Sequence, residues 1–110
     1  MALHHIVLFK LADGDPNGPV AAQFDPLLQT LVETSPGVIT RETQADLNLR
    51  PGNARSYQRM IHLTFADAAA WRTYLDSPEH QAFLGAIKEL VETIAGIQYE
   101  AYPRRRRAGP

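Results

Sequence analysis

The segment that most constrains the fold is the first strand-like stretch, because it is apolar on both of its faces. Residues 3–11 read LHHIVLFKL, a run rich in β-branched and aromatic residues. Successive side chains of a strand point to opposite sides. Val7 and Phe9 therefore lie on one side, and Ile6 and Leu8 lie on the other. A strand of this kind is covered from both sides, so two different surfaces must pack on its sheet.

A helix is predicted after the Gly- and Pro-rich loop at residues 13–19. Its apolar face carries Val20, Phe24, Leu27 and Leu31. Pro26 lies inside this pattern, so it either kinks the helix or restarts it with Asp25 as the N-cap.

Two further strands are predicted in the middle of the chain. Residues 38–47 are polar with β-branched residues interspersed, which is typical of an edge strand. Residues 57–65 read YQRMIHLTF and alternate between two faces. Arg59 and Ile61 share one face of this strand, and His62 lies on the other.

The last third of the chain predicts two helices and a strand. Asp67 is placed to cap a short helix over 68–75. Ser77 followed by Pro78 is a strong helix start, and the apolar spacing extends this helix to about Thr93. Gly96 then ends the helix, and residues 97–102 form the last strand.

The resulting order is that of a split β-α-β unit, which indicates an α+β, ferredoxin-like β-α-β-β-α-β fold with an antiparallel four-stranded sheet. Helices cover one face of such a sheet and leave the other bare. Because the first strand is apolar on both faces, we expect two sheets to pack face to face in a homodimeric α+β barrel.

The charge distribution separates a domain from a tail. The chain has 110 residues with 11 Lys and Arg against 12 Asp and Glu, and four of the positive charges form the run Arg104 to Arg107. Residues 1–102 therefore carry a net charge of −5 and are predicted to form one domain. Residues 103–110 are predicted to be a flexible basic tail, either solvated, docked on the acidic body or weakly bound to polyanions.

Several classes of protein are not expected. An acidic body argues against a nucleic-acid-binding domain. No apolar run reaches the ~18 residues of a membrane span, and His4, His5 and Lys10 interrupt the apolar N-terminal stretch that a signal peptide would need. With no Cys there is no thiolate metal site or disulfide. We therefore expect a cytoplasmic protein that contacts neither membrane nor nucleic acid.

Several motifs resemble those of the stress-responsive A/B barrel domain (Dabb) family of dimeric α+β barrels. They are the start His5-Ile6-Val7-Leu8-Phe9-Lys10, the strand end Leu63-Thr64-Phe65, the piece Tyr74-Leu75-Asp76-Ser77-Pro78-Glu79-His80 and the closing Ile97-Gln98-Tyr99-Glu100. The resemblance covers residues 3–102. It implies a homodimer through the open sheet face, no cofactor and, for many members, no assigned reaction.

The resemblance also implies a catalytic alternative. The family includes a plant polyketide cyclase in which a Tyr and a His act as acid and base, spaced as Tyr74 and His80 are here. Its first-strand His matches His5, whereas another pocket His falls where this chain has Arg59. Trp71 with His80 is similar to monooxygenases of the same superfamily, but their first-strand Asn is absent from residues 3–11.

His80 and Tyr74 are the catalytic candidates. If Ser77 is the N-cap, His80 lies at the third helical position, where the helix dipole favours a neutral imidazole able to act as a general base. Tyr74 would donate a hydrogen bond to a carbonyl or enolate oxygen. The alternative is structural, with His80 bonded to the preceding loop and Tyr74 covering the core.

The candidate substrate-binding residues lie between the sheet and the helices, because the resemblance implies that the strand faces with His5 and Arg59 turn toward the helices. They are His5, Arg59, Val7, Phe9, Phe24 and Ile61. Arg59 either binds a carboxylate or thioester carbonyl of a ligand or extends to solvent. His4 and His62 face the opposite side, so the four histidines do not predict a metal site, although a pair across the dimer remains an option.

The function predicted is that of a stress-associated or small-molecule-binding homodimer whose ligand is small and apolar or carbonyl-containing. The alternative is a cofactor-independent cyclase or isomerase acting on an enolisable, polyketide-like substrate, with a monooxygenase as a lesser alternative. The residue pattern does not decide between binding and catalysis.

Overall fold

The computed structural model describes residues 2–52 and 55–100. Its elements are β1 (Leu3–Leu11), α1 (Pro19–Thr34), β2 (Thr40–Ala45), β3 (Arg59–Phe65), α2 (Ala68–Leu75), α3 (Pro78–Ala86) and β4 (Val91–Glu100). The four strands form one antiparallel sheet in the order β2-β3-β1-β4. The expected α+β, ferredoxin-like fold is confirmed, with β2 at one edge as predicted.

The central strand β1 has the two-sided character that its sequence predicts. Burial alternates along it, so that Val7 and Phe9 are buried on the helix side while Ile6 and Leu8 are half-buried on the other. No helix among the described residues covers the second side, which we call the open sheet face. Its half-buried apolar side chains explain why β1 is apolar throughout.

The core lies between the sheet and the three helices. Phe24 of α1 is fully buried and packs its ring 5.1 Å from that of Phe9 and 6.0 Å from that of Phe83. Burying an aromatic side chain of this size contributes roughly 2–3 kcal/mol to stability. These rings join α1 and α3 to the middle of the sheet and form one wall of the space described below.

Helix α1 is continuous through Pro26. Of the two alternatives for this proline, a restart at Asp25 does not occur, because the N-cap of the helix is Gly18. Pro26 still removes one backbone donor, but it leaves its own carbonyl in the helix, where it accepts a hydrogen bond from the Thr30 hydroxyl at 3.0 Å.

The predicted boundary between the last helix and the last strand is wrong. Helix α3 ends at Ala86 instead of about Thr93, and β4 begins at Val91 instead of residue 97. Ile94 pairs with Phe9 of β1, and Gly96 lies within the strand opposite Val7 rather than ending a helix. The apolar spacing was misleading, since β-branched residues paired along the whole of β1 are more stable as strand.

The predicted strands 38–47 and 57–65 are each longer than β2 and β3 as observed, whereas both predicted helix caps are confirmed. Asp67 caps α2 by accepting from the backbone N–H of Ala70 at 2.9 Å, and Ser77 is the N-cap of α3. The end of the predicted last strand and the basic tail at 103–110 lie outside the described residues.

Candidate functional site

A cavity of about 270 Å³ lies between the sheet and helices α2 and α3. Its walls are mostly apolar and include Val7, Phe9, Ile61, Trp71 and Phe83, and its polar groups are His5, Tyr74, His80 and Gln98. None of the residues that line it is Asp, Glu, Lys or Arg. Its rim is accessible, since Ile94 of β4 and Leu84 of α3 are 45% and 38% exposed. An apolar cavity with a few convergent polar groups is the usual form of a small-molecule site.

The turn between α2 and α3 places Tyr74 and His80 together. The Ser77 hydroxyl donates to the Tyr74 carbonyl at 2.6 Å and accepts from the His80 backbone N–H at 3.2 Å. The Tyr74 and His80 rings then meet edge to face with centroids 4.9 Å apart. The Ser-Pro helix start therefore fixes both catalytic candidates on the same wall of the cavity.

His80 contains a buried polar atom that the protein does not satisfy. In the part of the chain that the structure describes, its Nδ1 is fully buried and has no hydrogen-bond partner. Burial lowers the pKa of His80, and the backbone of Leu75, which interacts with the ring, partly opposes this shift. The imidazole is therefore neutral at pH 7, as the position in the helix predicts.

His5 is held by two neighbours on the opposite wall. Its Nδ1 lies 3.2 Å from the indole Nε1 of Trp71 and 2.9 Å from the side-chain Nε2 of Gln98. Burial, with a smaller contribution from the nearby His80, lowers the pKa of His5 to about 4. This histidine is also neutral at pH 7.

Tyr74 is almost completely buried and contacts both histidines. Its ring centroid is 5.8 Å from that of His5 and 5.2 Å from that of Phe65. Burial raises the pKa of the Tyr74 hydroxyl above its ordinary range, so this group remains a phenol and can donate a hydrogen bond.

The structure brings six of the eight predicted site residues to this cavity and places two elsewhere. His80, Tyr74, His5, Val7, Phe9 and Ile61 line it. Phe24 and Arg59 do not, since Phe24 packs behind Phe9 in the core. Gln98 is a site residue that the sequence interpretation missed; its position opposite His5 in the β1–β4 pairing was hidden by the misplaced start of β4.

Arg59 is bound within the protein instead of facing the cavity. Its guanidinium forms a bidentate pair with Asp25 of α1 at 2.8 and 3.1 Å, and donates to the carbonyls of Pro16 and Gln58 at 2.8 and 2.9 Å. It faces a separate hollow of about 310 Å³ between α1 and β2. These contacts attach the start of α1 to β3.

Replacing Arg59 by Met is therefore expected to lower stability and leave the His80 cavity unchanged. The loss should be about 1–2 kcal/mol, because the buried Pro16 carbonyl loses its donor, whereas the Gln58 carbonyl keeps the Asp46 N–H and the half-exposed Asp25 is readily solvated. Chemical denaturation measures this loss, with Asp25→Asn as a milder comparison. Weaker ligand binding in a variant of normal stability would instead place Arg59 in the site.

The open sheet face carries a second histidine pair. Nδ1 of His4 and Nε2 of His62 are 2.7 Å apart, and the Tyr99 ring stacks on His4 with centroids 4.9 Å apart. Glu42 lies 3.8 Å from the other nitrogen of His62. Within residues 2–52 and 55–100, no three His, Asp or Glu side chains are arranged to hold a metal ion.

The family model described as the stress responsive A/B barrel domain, Dabb, matches residues 3–101 of this chain. The chain belongs to the Dabb family. No curated protein matches the Dabb chain in sequence.

Solved structures with the same fold cover nearly the whole chain. A dimeric ferredoxin-like protein of unknown function from Thermobifida fusca is 26% identical, with 92% of each chain covered and a TM-score of 0.73. A Dabb protein from Mesorhizobium loti is 24% identical, covering 93% of this chain and 98% of that one, with a TM-score of 0.75. Hydroxynitrile lyase from Passiflora edulis is 19% identical, covering 93% of this chain and 97% of that one, with a TM-score of 0.71. At 24% and 19% identity, the last two similarities show only that the fold is shared.

None of the helices that the structure describes in this Dabb chain could span a membrane. Each of them is too short or too polar to traverse the apolar core of a bilayer.

Proposed function

We propose that this Dabb protein binds a small, uncharged and mostly apolar molecule in the cavity between the sheet and helices α2 and α3. The observation that carries this proposal is the largely apolar cavity in which the polar groups of His5, Tyr74, His80 and Gln98 converge without any Asp, Glu, Lys or Arg. Because Nδ1 of His80 is buried, the ring nitrogen of His80 that a ligand can reach is Nε2. A ligand hydroxyl that donates to Nε2 would supply one of the few polar contacts of the bound molecule.

The protonation state of His80 supports its role as an acceptor. Burial lowers the pKa of His80, so the ring is neutral at pH 7 and carries one N–H and one lone pair. The Leu75 backbone favours the protonated ring, as a nearby carbonyl would. We infer that the buried Nδ1 holds the proton near this carbonyl and that Nε2 presents its lone pair to the cavity.

Replacing His80 by Leu should weaken the binding of diacetone alcohol about 5- to 10-fold, because the hydroxyl of this probe loses its acceptor. The probe is titrated into the protein, and the amide chemical shifts of the cavity walls are followed by heteronuclear NMR. Glu79→Gln, one residue away with its side chain outside this cavity, serves as the control. Equal affinities of the wild type and His80→Leu would remove His80 from the ligand site.

A second candidate is a cofactor-independent enzyme that abstracts a proton next to a carbonyl. It is favoured by the adjacency of a neutral imidazole and a neutral phenol, with the His80 and Tyr74 rings 4.9 Å apart. A proton would pass from the carbon to Nε2 of His80 while the Tyr74 hydroxyl bonds to the enolate oxygen. The hydroxynitrile lyase of this fold is named for a lyase reaction, so the fold can host catalysis.

Solvent deuterium exchange separates binding from catalysis. An enzyme of this kind should incorporate deuterium into the methylene group of diacetone alcohol faster than buffer does, as measured by mass spectrometry. His80→Leu should abolish the excess rate, and Tyr74→Phe should reduce it. A wild-type rate equal to that of buffer, with binding intact, would support the binding function alone.

The homodimer is proposed to form through the open sheet face. Ile97 and Tyr99 of β4 are 58% and 41% exposed there, next to the half-buried Ile6 and Leu8 of β1. An exposed apolar patch of this kind on a small domain usually marks an interface. The Thermobifida fusca relative is described as dimeric, which supports the same assembly here.

A further inference from the structure

The contacts of His5 determine which of its ring nitrogens carries the proton. Nδ1 lies within hydrogen-bond distance of the Trp71 indole nitrogen and of the Gln98 amide nitrogen, at 3.2 and 2.9 Å. Both neighbours present N–H groups, and an indole nitrogen can only donate. Nδ1 of His5 must therefore accept, since a proton on it would meet two donors.

The neutral ring then has its proton on Nε2, the nitrogen that remains for a ligand. Tyr74 contacts both the His5 and the His80 rings, at 5.8 and 4.9 Å between centroids. The cavity therefore holds a donor, Nε2–H of His5, and an acceptor, the Nε2 lone pair of His80, next to one tyrosine.

We propose that Trp71 and Gln98 are positioning residues that fix His5 as a hydrogen-bond donor, and that the cavity consequently selects an uncharged molecule carrying both a hydroxyl and a carbonyl group. This inference rests on the proposed binding function and narrows its ligand class. The hydroxyl donates to His80, and the carbonyl accepts from His5.

The composition of the walls supports the exclusion of charged ligands. None of the residues that line the cavity is Asp, Glu, Lys or Arg, so neither a carboxylate nor an ammonium ion would find a counter-charge. Moving an unpaired ion into apolar surroundings is far more costly than moving a hydroxyl or a ketone. His5 does not supply the missing charge, because its ring is neutral over the physiological range.

The first test is the tautomer of His5, followed by heteronuclear NMR of the histidine ring nitrogens, with the signals assigned by their loss in His5→Gln. The wild type is expected to show the proton on Nε2. The double variant with Trp71→Phe and Gln98→Leu removes both donors and is expected to give a mixture of tautomers. Gln29→Leu, on the exposed side of α1, should leave the spectrum unchanged. A wild-type His5 protonated on Nδ1 would overturn the assignment.

The second test compares matched probes by amide chemical shifts. Diacetone alcohol carries both groups, methyl isobutyl ketone lacks the hydroxyl, 2-methylpentan-2-ol lacks the carbonyl, and β-hydroxyisovalerate replaces the ketone by a carboxylate. The first is expected to bind about 5- to 10-fold more tightly than each single-group analogue and at least about 10-fold more tightly than the carboxylate. The double variant should lose the preference for diacetone alcohol over 2-methylpentan-2-ol.

The outcomes separate this inference from the function on which it rests. If none of the four probes shifts the cavity amides, the binding function itself fails, whatever the tautomer of His5. If the probes bind but the carboxylate binds as tightly as diacetone alcohol, the ligand class is wrong and the binding function survives. A preference that persists in the double variant would remove Trp71 and Gln98 from the role of positioning residues.

Discussion

Replacing Ile97 by Glu is expected to dissociate the proposed homodimer of this Dabb protein into monomers. Ile97 lies on the open sheet face in the edge strand β4, paired with Ile6 of β1, and more than half of its side chain is exposed in the single chain. The substitution would place two carboxylates in an apolar interface, between domains that each carry a net charge of −5 over residues 1–102. The dissociation constant should rise at least about 30-fold.

The single chain should still fold, because a Glu at an exposed strand position is solvated in the monomer. Light scattering and sedimentation at micromolar concentration measure the change in mass. Leu49→Glu is the matched control, since it adds the same charge to a leucine that is 79% exposed and lies outside the sheet. A wild type that is already monomeric, or an Ile97→Glu protein that stays dimeric, would show that the open sheet face is not the interface.

Lowering the pH from about 7 to about 5 is expected to cost the folded protein about 2 kcal/mol through His5 alone. In the unfolded chain His5 takes up a proton near its ordinary pKa of 6.5, whereas in the folded protein its pKa is about 4, chiefly because it is buried. The unfolded state therefore binds more protons across this interval, so stability falls as the pH falls. His80, whose pKa is also lowered, acts in the same direction.

Chemical denaturation at several pH values and one protein concentration measures this loss. In His5→Gln the dependence on pH should be shallower by about 2 kcal/mol over the same interval. The other three histidines are common to both proteins, so the difference isolates His5 and its interaction with His80. Parallel pH profiles for the two proteins would contradict the burial of a neutral His5.

The sequence predicts the site well where a local signal places its residues. Ser77 and Pro78 are a helix start whatever surrounds them, and the turn that they form brings Tyr74 and His80 together through one hydroxyl. The strand alternation places His5 on the helix side in the same way. These inferences depend on backbone geometry over a few residues, which sequence patterns report reliably.

The prediction fails where the same residues suit two kinds of element. Leu90 and Ile94 continue the apolar spacing of α3, but the chain from Val91 onward is strand. A short apolar run is ambiguous in sequence, and pairing with β1 decides the matter. This one error concealed Gln98, because a strand starting at residue 97 gives little reason to place its second residue opposite His5.

What the sequence by itself determined is the set of local structures and the side of the sheet on which each candidate lies. The two-sided β1, the helix start at Ser77 and the strand faces on which His5 and Arg59 lie all follow from short-range patterns, and the family resemblance turns those two faces toward the helices. What only the tertiary structure decided is which distant partner each group meets. Arg59 is bound by Asp25 and lies outside the cavity, while His5 is held by Trp71 and Gln98.

The physical reason is that strand register and burial determine which hydrogen-bond partner a polar side chain meets. The secondary-structure propensity of its residue does not. Side chains such as His5 and Arg59 have several polar groups within reach of their faces, and packing leaves each of them only some. The same packing buries Nδ1 of His80, so the proposed function uses Nε2, the ring nitrogen that we infer to face the cavity.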